Sequence, residues 1–202
     1  GVHLIGTAAT EPEAFVASVP LRSVEDLKGL KMRAPEGMVY EIFSKAGASP
    51  VALPGSEVFT SLDKGVIDAA DYTVFAANQG QGMNDIAHYP LYPGFHSLPL
   101  VEVSMNKAKW DALPDDVKEM FRASIKEFQQ TQVNALQERD LAAVEAAKAS
   151  GNVTIHDWPA EERAKFRGIA RGEWEKVASQ SEMAQKVYDS LNAYLESKGL
   201  IK

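Results

Sequence analysis

An α/β fold with a mostly parallel sheet is what the sequence predicts, and three observations predict it. Short apolar runs alternate with helical segments through residues 14–73. The helical segments close on glycines, which take the left-handed conformation that ends a helix at no steric cost. The composition, 45% hydrophobic over 202 residues, is enough to bury one sizeable core or two smaller ones.

Residues 2–5 and 14–19 read as strands separated by a polar, proline-containing connector at residues 7–13. In LRSVEDLKGLKMRAP, residues 21–35, Ser23 and Asp26 are spaced as a capping box around a short helical turn. Gly29 stops that turn, and residues 30–33 form a short strand closed by Pro35. Residues 37–46 follow as a helix, with Val39, Ile42, Phe43 and Ala46 on one face and Gly47 as its end. A strand at residues 50–53, a helix capped by Ser56 and ended at Gly65, and a strand at residues 66–73 complete the alternation. Residues 74–85 are amide-rich; their Gly80 and Gly82 lack the third glycine of a phosphate loop, so a loop or irregular helix is expected. Residues 87–100 hold three prolines and several rings, too proline-rich for a central strand, and read as a rigid crossover. The longest helical signal runs from Pro114 to about Ser150, the alternative being two helices bent near residues 129–132. A last strand at residues 153–158 and two amphipathic helices, residues 159–177 and 181–198, close the chain.

The formal charge of −7, with no basic stripe, gives nucleic acid and anionic lipid no electrostatic purchase. With no cysteine there are no disulfides, thiol nucleophiles or cysteine-ligated metals. The four histidines, His3, His88, His96 and His156, show no metal-ligand spacing, and neither HExxH nor GxSxG occurs. Catalysis has no positive signal, so the chain reads as a non-enzyme.

Binding has one. Arg33 stands at the carboxyl end of a strand, where open α/β sheets place their ligands, and a guanidinium holds a carboxylate through two parallel hydrogen bonds. A small-acid site also needs neutral donors and aromatic walls. Tyr72, Phe95 and His96 supply them, with His96 alternatively an interior imidazole and Asp71, like Asp68, alternatively a turn cap.

The run VEDLKGLKMRAP at residues 24–35 resembles the DctP-like solute-binding proteins of tripartite ATP-independent periplasmic (TRAP) transporters, nearest to their 2-oxo-acid-binding group. Three further stretches fit in order: GASPVALPGSEVFTSLDKGVIDAADY at residues 47–72, YPLYPGFHS at residues 89–97, and MNKAKWDALPDDVK at residues 105–118. The resemblance implies a two-lobe, type II periplasmic-binding-protein architecture with a long helix spanning the lobes. Residues 1–88 would belong mainly to the second lobe, residues 89–122 would return to the first, and residues 123–202 would supply the long and C-terminal helices. The N-terminal part of the first lobe, and a signal peptide before it, would precede Gly1.

The resemblance also implies function: capture of a small organic acid in the periplasm and delivery to a TRAP membrane permease. An effector-sensing domain or a small-molecule enzyme of similar fold is the alternative. Arg33 matches the arginine that clamps the substrate carboxylate. Tyr72 falls where relatives carry asparagine or tryptophan, and Phe95-His96 matches an aromatic segment of the keto-acid group. That group's glutamate, which helps hold a cation bridging to the substrate, aligns with Ser97. A hydroxyl is a poor ligand for sodium or calcium, which argues against metal-assisted binding unless Asp71 or a preceding segment substitutes. In keto-acid-binding relatives the long helix serves dimerisation, so a homodimer through it is a further expectation.

Overall fold

The structure, a computed structural model, describes residues 1–201. Among the described residues, six strands form two sheets. A ribbon pairs β1 (Val2–Ala9) antiparallel with β6 (Leu100–Asn106), with a register shift between Leu4 and Gly6. The second sheet has the order β2-β5-β3-β4, from β2 (Ala14–Ala17), β5 (Ala69–Thr73), β3 (Lys31–Arg33) and β4 (Ser49–Val51). β3 runs parallel to both neighbours, and β2 joins β5 antiparallel.

Helices cover both faces of the four-stranded sheet, which is why β2 is buried along its whole length. On one face, Phe15, Ala17, Met32 and Ala69 pack against Phe43 of α1 (Met38–Lys45) and Phe166 and Ala170 of α7 (Ala160–Ala178). On the other, Val16 and Ala70 meet Val58 and Leu62 of α2 (Gly55–Asp63) and Met83 of α4 (Met83–Ile86). Burying a phenylalanine or leucine here contributes about 1.5–3 kcal/mol each. α3 (Phe75–Gly80) follows β5, α5 (Lys107–Asp111) follows β6, and α8 (Glu182–Ser197) lies along α7.

The turn before β3 forms as its sequence indicates. The Asp26 carboxylate accepts hydrogen bonds from the Ser23 amide at 2.9 Å and the Arg22 amide at 2.7 Å, and Gly29 ends the turn at φ +72°. Glu162 of α7 accepts the Val24 amide at 2.8 Å and ties the turn to the core. The expected long helix is one continuous α6 (Asp115–Ser150), unbroken at residues 129–132.

Two expectations change, and one strand was not expected. α2 begins at Gly55 after an extended Pro54, so Ser56 lies inside the first turn and does not cap it. Residues 153–158 form only a single bridge, His156 to Leu91, because their partner segment carries Pro90 and Pro93 and cannot continue a ladder. β6 is a strand the sequence reading passed over. Its apolar residues alternate, but Leu100 and Val101 are exposed, and no core face marks them.

Candidate carboxylate site

The parallel register places the ligand edge. Arg33 pairs with Val51 on one side and Ala70 on the other, so Asp71 and Tyr72 come immediately beyond it at the same carboxyl edge. The Arg33 Nε donates to the Leu53 carbonyl at 3.2 Å and Nη1 to the Asp71 carbonyl at 2.6 Å. Two backbone acceptors thus fix the guanidinium plane while its other N–H groups stay uncommitted. No side chain pairs with Arg33 among the described residues. The arginine lines an open cavity of about 370 Å³ with Ala34, Pro35, Glu36, Ala52, Leu53 and Pro54.

Tyr72 is half-buried on the α2 side of the sheet. Its hydroxyl donates to Gln81 Oε1 at 3.0 Å, and its ring lies over Gly55, next to Pro54 of the cavity. Arg33 and Tyr72 are therefore neighbours at one edge, as the sequence indicates.

Phe95, expected as a cleft wall, turns inwards instead, and His96 takes the interior place that was its alternative reading. The Phe95 ring stacks on Trp158 with centroids 3.8 Å apart and meets Phe166 edge-on at 4.9 Å. It completes the core beneath α7, and an apolar ring gains more there than at an open cleft. The His96 side chain is 1% exposed, and its Nε2 lies 2.9 Å from Asp71 Oδ1. Phe15 stands edge-on to the imidazole at 5.3 Å.

That bond exposes a residue the sequence reading missed. Glu13, at the end of the polar connector, brings Oε2 to 3.9 Å from His96 Nε2. Its amide donates to the Ser97 carbonyl at 3.1 Å, so Ser97 joins the group chiefly through its backbone. Burial, and then the charge of Asp71, push the Glu13 carboxyl up to about 7. Burial also opposes the Asp71 carboxylate. The hydrogen bond and attraction of His96, with help from Glu13 and Arg33, outweigh that and hold Asp71 below its ordinary value. The only sequence signal for Glu13 was an acid placed directly before a wholly apolar strand.

Ligand atoms of Glu13, Asp71 and His96 lie within 4.8 Å of one another. The set is a poor match for calcium, which takes about six to eight oxygens. One of the three donors is an imidazole already bonded to Asp71, and the neighbouring Ser97 side chain adds only a hydroxyl.

The family model of bacterial extracellular solute-binding protein, family 7 (DctP), matches residues 1–181. A monocarboxylate 2-oxoacid-binding periplasmic protein of Nostoc is 30% identical over 175 residues, covering 86% of this chain and 48% of the relative. The crystal structure of a TRAP periplasmic solute-binding protein from Rhodobacter sphaeroides, in an apo open state, superposes with a TM-score of 0.82 at 66% identity. The match covers 99% of this chain and 64% of that one. A TRAP periplasmic solute-binding protein from Pseudoalteromonas atlantica, with bound sodium and pyruvate, gives a TM-score of 0.79 at 26% identity over 97% of this chain and 59% of that one. The chain spans about half the length of the curated relatives it matches.

Proposed function

Since the chain belongs to the DctP family, family 7 of the bacterial extracellular solute-binding proteins, we propose that it captures a small organic acid in the periplasm and passes it to a TRAP-type membrane permease. It would do so without chemical turnover. Among the described residues no helix is long and apolar enough to cross a membrane.

One observation carries the reading. Arg33 is held by two backbone carbonyls at the rim of a cavity, with the rest of its guanidinium unpaired. A guanidinium so fixed is pre-organised for a carboxylate, since little side-chain freedom is left to lose on binding. Tyr72 borders the same edge with a hydroxyl and a ring face. A bridging cation is not invoked, given the donors present. A 2-oxo acid is the substrate class closest to the Nostoc relative's description, and pyruvate is the first acid to try.

In a thermal-shift screen of the full-length protein against small carboxylates, with and without sodium or calcium, a captured acid raises the midpoint with its excess over the dissociation constant. Arg33→Ala should abolish that rise and leave the unliganded midpoint in place. Undiminished affinity in Arg33→Ala would remove the arginine from its role.

A further inference from the structure

We infer that Glu13 and His96 are positioning residues for the carboxylate clamp: through Asp71 they form a proton-sharing latch that ties the inter-sheet crossovers to the strand edge on which Arg33 is seated. The inference rests on the proposal that Arg33 holds the ligand.

Only two connections carry the chain between the β1–β6 ribbon and the four-stranded sheet before α6: residues 10–13 and residues 87–99. They run side by side, with the Thr10 amide on the Pro99 carbonyl and the Glu13 amide on the Ser97 carbonyl, both at 3.1 Å. They also touch without side chains between them, since a Cβ at Gly94 would overlap the Glu13 carbonyl. Any rotation of one sheet against the other must bend these two strands of chain.

The latch sits on that bend. Glu13 comes from the first crossover, His96 from the second, and Asp71 from the end of β5 between them. Asp71 faces two ways: its carboxylate takes the His96 Nε2 contact, while its carbonyl accepts the Arg33 guanidinium. A shift of this one residue therefore reaches the clamp directly. The His96 Nδ1 is buried without a partner, so among the described residues the bond to Asp71 is the one hydrogen bond that orients the ring.

Two carboxyls this close, and this poorly hydrated, do not both ionise cheaply. The arrangement that fits is an Asp71 carboxylate accepting from His96 Nε2 at 2.9 Å, beside a Glu13 kept neutral within 4.8 Å of both. The groups facing Glu13 are Asp71, His96 and the Ser97 hydroxyl, with Arg33 acting on Asp71 from β3. Around them lie the rings of Phe15, Phe43 and Phe95. Because the Glu13 value is raised in the folded state, the latch is fully made below the ordinary glutamate value of 4.5 and is lost as pH rises through about 7. Above that, two adjacent carboxylates repel and Asp71 is pushed from its place under Arg33.

The test pairs a ligand readout with a ligand-free one, on the full-length protein. Pyruvate affinity is measured by calorimetric titration, and urea-unfolding stability in parallel, each from about pH 6 to about pH 8.5. Wild-type affinity should fall about tenfold across this range, one pK unit of coupling. Glu13→Gln, which keeps a neutral donor for Asp71 at every pH, should hold both affinity and stability nearly level. Ser97→Ala removes a hydroxyl that favours charged Glu13 and should move the wild-type fall to higher pH, a check that stands even where Glu13→Gln folds poorly. The same pH dependence in wild type and Glu13→Gln would overturn the latch. A level affinity in wild type beside a sloping stability would overturn its link to Arg33. Absence of pyruvate binding at every pH, with the stability slope removed by Glu13→Gln, would overturn pyruvate as the captured acid while the latch itself stood.

Discussion

Truncating Phe95 separates two roles that make opposite forecasts. The ring stacks on Trp158 at 3.8 Å, meets Phe166 at 4.9 Å, and lies 5.6 and 6.3 Å from Phe15 and Phe43. Full burial would put Phe→Ala at about 3–5 kcal/mol, and because Phe95 is only partly buried the low end applies, about 3 kcal/mol. Aromatic pairs add about 0.5–1.5 kcal/mol beyond area, so Phe95→Leu, which keeps most of the volume, should cost about 1–1.5 kcal/mol. For a chain of this size that is about 6–12 °C for alanine and about 2–6 °C for leucine. Urea titration measures the loss, and calorimetric titration with pyruvate, at a temperature where each variant is folded, measures the affinity. A core role leaves folded-state affinity in Phe95→Leu close to wild type. A stability change under about 1 kcal/mol in Phe95→Ala, with affinity lost, would return the ring to the cleft wall and refute the packing argument.

Two other perturbations test the scaffold. Asp140 of α6 is fully buried, and its Oδ1 accepts the Ala76 amide at 2.8 Å, capping α3 from 64 residues away in sequence. Asp140→Ala should cost about 2 kcal/mol by equilibrium unfolding, from a lost cap and an unsatisfied amide, and Asp140→Asn should restore most of it; equal losses in the two would dismiss the cap. Gly94→Ala should destabilise by about 2 kcal/mol or more and weaken acid binding together with it, since the new Cβ meets the Glu13 backbone and no side chain can yield; a variant of wild-type stability would show that the crossovers are free to part.

Much of the site's frame was readable from local signals. Arg33 could be placed because a cap, a glycine stop and a proline bracket its strand within a few residues. Its partner edge at Asp71 and Tyr72 followed from the next α/β repeat. The 36-residue helix was readable because nothing in it breaks the pattern after Pro114. What escaped was long-range. The direction of Phe95 and His96 is decided by Trp158 and Asp71, which the sequence leaves far away. Glu13 sits in a connector whose polarity resembles any surface loop, and only its approach to Asp71 gives it chemistry. Asp140 looks like a solvated helix acid until α3 is seen to start against it. β6 shows the reverse failure: its alternation was present, but its apolar side chains have no core to enter among the described residues.

As a mechanical part, α6 is a lever with one fixed and one sliding bearing. The fixed bearing is the C-terminal half, where buried Asp140, Val144 and Ala147 engage α3. The sliding one is Gly6 of β1, bare backbone beneath Ile125, with Gln129 and Gln132 reaching the carbonyls of Thr7 and Ala9. Amide side chains can exchange one carbonyl for the next at small cost, whereas a buried carboxylate cannot leave its amide. From Asp140 back to Asp115 the rod is about 38 Å long, so a tilt of about 10° about the fixed bearing would carry its first turn about 6–7 Å. Any movement at the crossovers would thereby be enlarged at the exposed start of α6 near Asp115.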